Sequence, residues 1–243
     1  MTSYKKTREY LKALSLANPK IEFAPDFEHS RIYEDFVRDL RSGEFVEHPG
    51  QYAGQSSMCL VCSQHSFSLA EGMSDPKGCE KKQRQYTQGW VDYLKSEKLP
   101  VKELHVCSSV NQEVFDALCC QDSLESLRIK WLRCKEIDGI VKLRNLKKLF
   151  LEKASSLTDI APLAKLDGLE VLILGDTNKI TDYSALSALK KLKVLGICGY
   201  STNVNAAIKV DDLGFISELP ELEYVDFMDC RLIRDQDQGQ DRG

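Results

Sequence analysis

Cys59-Leu-Val-Cys62-Ser-Gln-His65 is followed in the chain by Cys79. Two thiolates at C-x-x-C spacing, a histidine and a third cysteine are the donor set of a tetrahedral Cys3His zinc centre. The surrounding stretch, 44–80, is rich in glycine and poor in apolar residues. A metal would contribute most to folding in such a place. Two other readings stand beside zinc: a redox-active thiol pair, or ordinary cysteines of a small cap. The C-x-x-C is single, and its gap to Cys79 is irregular.

The remaining chemistry-bearing residues are dispersed. The chain has nine cysteines, an odd number that does not make the even framework of a small secreted domain. They read as reduced thiols of a cytoplasmic protein, acting as small hydrophobes. Cys119-Cys120 follows Leu118 in a repeat return and reads as core; Cys134 and Cys230 read as packing or surface residues. His29, His48, His65 and His105 form no nucleophile–base pair, and no G-x-S-x-G, phosphate loop or H-E-x-x-H occurs. The expectation is therefore a binding protein, not an enzyme.

The elements that would position these residues follow from a repeat. L-x-x-L-x-L recurs as Val101, Leu104, Val106; Leu124, Leu127, Ile129; Leu146, Leu149, Leu151; Leu169, Leu172, Leu174; Leu192, Leu195, Ile197; and Leu222, Val225, Phe227. The offsets are 23, 22, 23, 23 and 30 residues. All but the last fit a leucine-rich repeat, in which each coil is one short strand and one helical or 3-10 return. A coil buries its apolar residues only against its neighbours, so about three or more are needed. The long fifth repeat carries GYSTNVNAAIKVDD, expected to form an edge loop. Asp159 and Asp182 recur one per coil and are expected to cap the return segments.

Within 146–189, Leu157-Thr-Asp-Ile160-Ala-Pro-Leu163-Ala-Lys-Leu166 and Ile180-Thr-Asp-Tyr183-Ser-Ala-Leu186-Ser-Ala-Leu189 resemble the return segment of the bacterial internalin-like class of leucine-rich repeats. The resemblance covers about 101–229 and is absent before about residue 95. It implies an α/β solenoid, a right-handed arc with a parallel sheet on its concave side, and a protein-binding role on that side. The sequence departs from the class in its asparagine ladder: Asn178 is present, but Ser155 holds the equivalent place one repeat earlier. The secretion and anchoring segments of internalins are not found, so no infection role is carried over.

Strand residues alternate between core and concave face. The concave set begins charged, with Glu103, His105, Arg128, Lys130, Lys148 and Glu152. It continues apolar, with Phe150, Val171, Ile173, Val194, Cys198, Tyr224 and Met228. A contiguous exposed apolar patch marks a contact surface. Phe150, Val171, Ile173, Val194, Cys198, Tyr224 and Met228, with Arg128 and Lys130, are therefore the expected partner-binding residues, and Ile173→Asp the change expected to abolish binding with the fold intact. Self-association through this face, or cover by the Asn203 loop or the tail, are the alternatives. A zinc- or redox-dependent sensor built on 59–79 is the alternative function.

Residues 1–98 are expected to be a helical cap region, 99–233 a domain of about six repeats, and 234–243 a disordered tail. Helices are predicted at 3–17, 29–41 and 80–97. The Trp90 helix is expected to cover the first coil, with no obvious cap at the C-terminal end. A net charge of −4 supplies no basic field for nucleic acid. No apolar run approaches the roughly 18 residues of a membrane span, and the N-terminus reads as mature sequence, not a signal peptide.

Overall fold

The computed structural model describes residues 3–24, 44–61, 76–199 and 208–233. Its centre is a nine-stranded parallel sheet, with strands β1 (Glu22–Phe23), β2 (Glu44–Val46), β3 (Ser57–Leu60), β4 (Glu103–Val110), β5 (Ser126–Leu132), β6 (Lys148–Leu151), β7 (Val171–Gly175), β8 (Val194–Cys198) and β10 (Tyr224–Asp226). The order across the sheet is β1-β10-β8-β7-β6-β5-β4-β3-β2. Each repeat contributes one strand, because its two core leucines sit two residues apart and share a face.

The register follows the leucine pattern. Met58, Leu104, Leu127, Leu149, Leu172, Leu195, Val225 and Phe23 lie side by side. Leu60, Val106, Ile129, Leu151, Leu174 and Ile197 form a second row. From Leu104 to Leu195 the first row is fully buried, as is the whole second row. Removing one such leucine to alanine costs about 2–5 kcal/mol.

Between strands the chain returns through 3-10 turns at Asp138–Lys142, Ala161–Lys165, Ser184–Ala188 and Gly214–Glu218. Asp159 accepts from the Ala161 N–H at 2.8 Å and Asp182 from the Ser184 N–H at 2.8 Å; these are Asx turns one residue before the N-cap positions, which Ile160 and Tyr183 hold without a side-chain cap bond, so the aspartates shape the returns but do not cap them. Asp212 repeats the arrangement with the Gly214 N–H at 2.9 Å. After the strands, Lys153, Asp176 and Asp229 take positive φ values of 52°, 56° and 56°. The left-handed turn thus recurs at equivalent repeat positions on residues other than glycine.

The first coil is an α-helical one. Helix α3 (Gln112–Leu118) starts at Asn111, whose side chain accepts from the Val114 N–H. Helix α2 (Pro76–Ser96) is longer than the 80–97 prediction and buries Trp90, Val91 and Leu94. The Trp90 indole donates to the Glu47 carbonyl at 2.8 Å, tying α2 to the coil before the first repeat. Gln121 is wholly buried and fully engaged: it donates to the carbonyls of Leu94 at 2.6 Å and Glu97 at 3.0 Å, and accepts from the Leu99 N–H at 2.8 Å.

Two departures from the sequence reading concern the ends. The sheet begins before residue 99, because β2 and β3 add two parallel strands beyond β4. The chain start lies at the opposite end. Helix α1 (Ser3–Ala17) packs against β11 (Cys230–Leu232), and β1 pairs with β10. β11 itself pairs with β9 (Ile208–Val210), formed by the long fifth repeat. The C-terminal coil is therefore capped by the N-terminal segment. Leu222, Val225 and Phe227 are buried, and the Phe23 and Phe227 rings lie 6.4 Å apart. An uncovered solenoid end would leave one apolar layer in water. Consecutive strands β1 and β2 are thus the two sheet edges, about 38 Å apart at ~4.8 Å per strand. The helix predicted at 29–41, the Asn203 loop and the tail lie outside the described residues.

Candidate functional site

The strand register defines what shares the concave face. One row runs Phe45, Cys59, His105, Arg128, Phe150, Ile173, Gly196 and Asp226. The next runs Ser57, Glu103, Ser126, Lys148, Val171, Val194 and Tyr224.

The apolar half of this face is not an exposed patch. Phe150 and Ile173 are 1% exposed, Val171 6%, Val194 7%, Cys198 1% and Tyr224 5%. They form a second buried cluster, against which Ala24 and the half-buried Met228 pack. The physical reason is the one that makes such a patch conspicuous in sequence: several hundred square ångströms of apolar surface are more stable covered than wet. Alternation shows which face a side chain takes and not what lies over it. Arg128 is also buried, and its Nε contacts Glu152 Oε1 at 2.6 Å. Of the nine expected partner-binding residues, Lys130 alone is exposed.

The other half is polar and only partly exposed: Cys59, His105, Ser126 and Arg128 are buried in it. Glu103, Lys130 and Lys148 are exposed on β4, β5 and β6. The Lys130 ammonium lies 4.5 Å from the centre of the half-buried Trp131 ring, a cation–π contact. Phe45, on edge strand β2, is 68% exposed. It belongs to the stretch that carries no readable period, so nothing in the sequence pointed to it.

Beside Phe45 the same face holds a cluster of sulfur and imidazole. Cys59 pairs with His105 across β3 and β4, and Cys107 lies two residues further along β4 on the same side. The Cys59 and Cys107 sulfurs are 2.6 Å apart, and His105 Nδ1 is 3.7 Å from the first and 3.6 Å from the second. Cys59 and His105 are buried and Cys107 is half-buried. The hydrogen bond from Cys59 pulls the Cys107 thiol down to about 5, with His105 and Lys130 adding to the effect against desolvation. The same bond, with burial, pushes the Cys59 thiol up.

Of the zinc ligands expected from sequence, Cys59 belongs to this cluster. Cys62, His65 and the Cys79 side chain lie outside the described residues; Cys79 itself is in the first turn of α2. His105, which sequence reading placed on the concave face without linking it to Cys59, and Cys107 are what the fold brings to it. Cys119, Cys134, Cys198 and Cys230 are buried and pack as small hydrophobes. Burial pushes the Cys119, Cys134 and Cys230 thiols up, Cys134 to about 12.

A charge ladder that sequence reading missed edges the strands. Lys102, Glu125, Lys147, Glu170, Lys193 and Glu223 each precede a strand and alternate in sign. Lys102 and Lys147 both reach Glu125 at 2.8 Å, and Lys193 reaches Glu170 at 2.9 Å. The two lysines hold the Glu125 carboxyl down at about 2.

The parallel register and one-strand coils decide the architecture. The chain is a leucine-rich repeat solenoid. No protein-family model matches it, and no curated protein does. Among solved structures it is similar to an internalin (inlF) from Listeria monocytogenes, at 14% identity and a TM-score of 0.47, over 76% of this chain and 45% of that one. The chain thus spans less than half of that internalin's length. An internalin C2 from the same organism is 24% identical, with a TM-score of 0.33, over 54% of this chain and 73% of its own. The plant peptide hormone receptor RGFR1 in complex with RGF2 is 14% identical, with a TM-score of 0.36, over 54% and 25% of the respective chains. No described helix is long and apolar enough to cross a membrane.

Proposed function

We propose that this protein is a non-enzymatic protein-interaction module, and that its contact surface is the exposed part of the polar half of the concave face, with Phe45 as the apolar anchor at its edge and Glu103, Lys130 and Lys148 two to four strands further in. The observation that carries this reading is Phe45: a large aromatic side chain 68% exposed on an edge strand, in register with the cysteine–histidine row. An exposed aromatic at one end of a polar face is a candidate binding anchor. The charged residues suit the rim, where they steer a partner and set its orientation. Among the described residues, β2 has no strand on its outer side, where an extended segment could add as a further strand. The proposal includes a cytoplasmic setting, in which the thiols stay reduced.

Affinity capture from the native cell, with unmutated protein and Phe45→Asp in parallel, tests it. The side chain is mostly in water, so the substitution leaves the melting temperature within a few degrees. Loss of a specific captured protein at unchanged stability supports the reading. Equal capture by both proteins overturns it.

A further inference from the structure

We propose that Cys59, His105 and Cys107 form a binding site for a thiophilic divalent cation, with Zn2+ as the ion the donor set fits. The site goes beyond the partner-binding surface and does not depend on it. Its three donors come from two adjacent strands of one sheet, so their relative positions are fixed by the β3–β4 ladder, and all three point to one side. Their ligand atoms lie within 4.8 Å of one another.

The place of the imidazole is what suggests a metal over a simple thiol pair. With Zn–S of about 2.3 Å and Zn–N of about 2.0–2.1 Å, a tetrahedral centre has S···N edges near 3.6 Å. The observed edges are 3.7 and 3.6 Å, so the imidazole nitrogen is almost equidistant from the two sulfurs. A thiol pair needs no such third group. The S···S edge of the same centre is about 3.8 Å, against 2.6 Å here. An entering cation therefore parts the sulfurs by about 1 Å, a small side-chain rotation on each strand.

The charge balance is consistent. Binding releases the remaining thiol protons, and two thiolates neutralise a divalent cation. The Arg128 guanidinium, next in the row, is engaged by Glu152 at 2.6 Å. Sulfur and imidazole donors favour Zn2+ over the oxygen-seeking Mg2+ and Ca2+. Three protein ligands leave a fourth position on the concave side.

The full chain, purified with reductant and freed of metal, would be titrated with Co2+ and then Zn2+, reading the thiolate-to-cobalt absorption in the near ultraviolet. The expected result is about one equivalent of cobalt bound per chain, displaced by an equimolar amount of zinc. Cys59→Ser and Cys107→Ser should each lose the band, His105→Ala should weaken binding, and Cys120→Ser should change nothing. Because a cysteine variant could fail to fold, the unmutated protein carries an independent readout: zinc should protect Cys59 and Cys107 from alkylation, as mapped by peptide mass. No thiolate band, protection falling on other cysteines, or a Cys59–Cys107 disulfide in protein alkylated at lysis would overturn the site.

Discussion

The Tyr10 hydroxyl donates to Asp212 Oδ1 at 2.6 Å, joining the first helix to the last coil across 202 positions of sequence. The same oxygen accepts from the Leu213 N–H at 3.0 Å, and Thr7 Oγ1 accepts from the Leu232 N–H at 3.2 Å. Asp212 also shapes the turn into Gly214–Glu218. Tyr10 thus fixes the cap to the residue that starts the final return.

Removing that oxygen should loosen the C-terminal coil first. Tyr10→Phe is expected to cost about 1.5–3 kcal/mol, the range for a hydrogen bond to a charged group. Hydrogen exchange should quicken at Leu213 and Leu232 while the strands β5–β7 keep their protection. Uniform loss of protection along the solenoid would argue against a separable cap.

Phe45 and Ile173 share a row of the sheet, yet substitutions there should have opposite consequences. Ile173→Ala creates a cavity and is expected to cost about 2–4 kcal/mol; Ile173→Asp buries a charge and should prevent folding. Phe45→Asp should leave the denaturation midpoint nearly unchanged. A folded, stable Ile173→Asp protein would mean that the apolar half of the face is open after all.

Arg128 and Glu152 test how dry that face is. Their side chains are 7% and 15% exposed. Removing one partner from a buried pair costs about 3–5 kcal/mol, because a charge is left behind. Arg128→Met should therefore destabilise by about 3 kcal/mol in urea denaturation. Adding Glu152→Gln should recover part of that loss, since no lone carboxylate then remains. A double variant no better than the single one would contradict the pairing.

The Lys102–Glu125–Lys147 contact should be visible as pH dependence. The Glu125 carboxyl is held below its ordinary 4.5, at about 2, by hydrogen bonds from both lysines. A depressed carboxyl stabilises the fold fully above its unfolded value and loses that contribution as pH falls through the folded one. The stability difference between the unmutated protein and Glu125→Gln should be constant above about pH 5 and vanish towards about pH 2. Added salt should shrink it, because the groups are exposed. A difference independent of pH would remove the ladder from the stability account.

How legible the fold was varies by region, for physical reasons. The coils from Leu104 to Leu195 announce themselves because each buries apolar residues at the same two positions, and stacking repeats that requirement every 22 or 23 residues. Asp159 and Asp182 were readable for the same reason as residues that begin the returns, although they do so as Asx turns and not as the expected caps. Strands β2 and β3 were not, since three or four residues among glycines and prolines give no period. Nor was β1, whose two residues pair with a strand some 200 positions away. The cysteine cluster was half visible. His105-Val106-Cys107 has the i, i+2 spacing that puts both side chains on one face of a strand, but only the β3–β4 register brings Cys59 to them. For Phe150, Val171 and Ile173 the face was readable and the cover was not.

The central claim is that a partner meets the Phe45 end of the concave face, and a photocrosslinking residue tests it most directly. Benzoylphenylalanine in place of Phe45 keeps the aromatic ring at the proposed contact. The same residue in place of Leu16, 74% exposed on α1 at the opposite end, reports on a surface without an assigned role. Irradiation in the native cell should yield a discrete protein adduct from position 45 and none from position 16. An adduct from position 16 with none from position 45 would contradict the account.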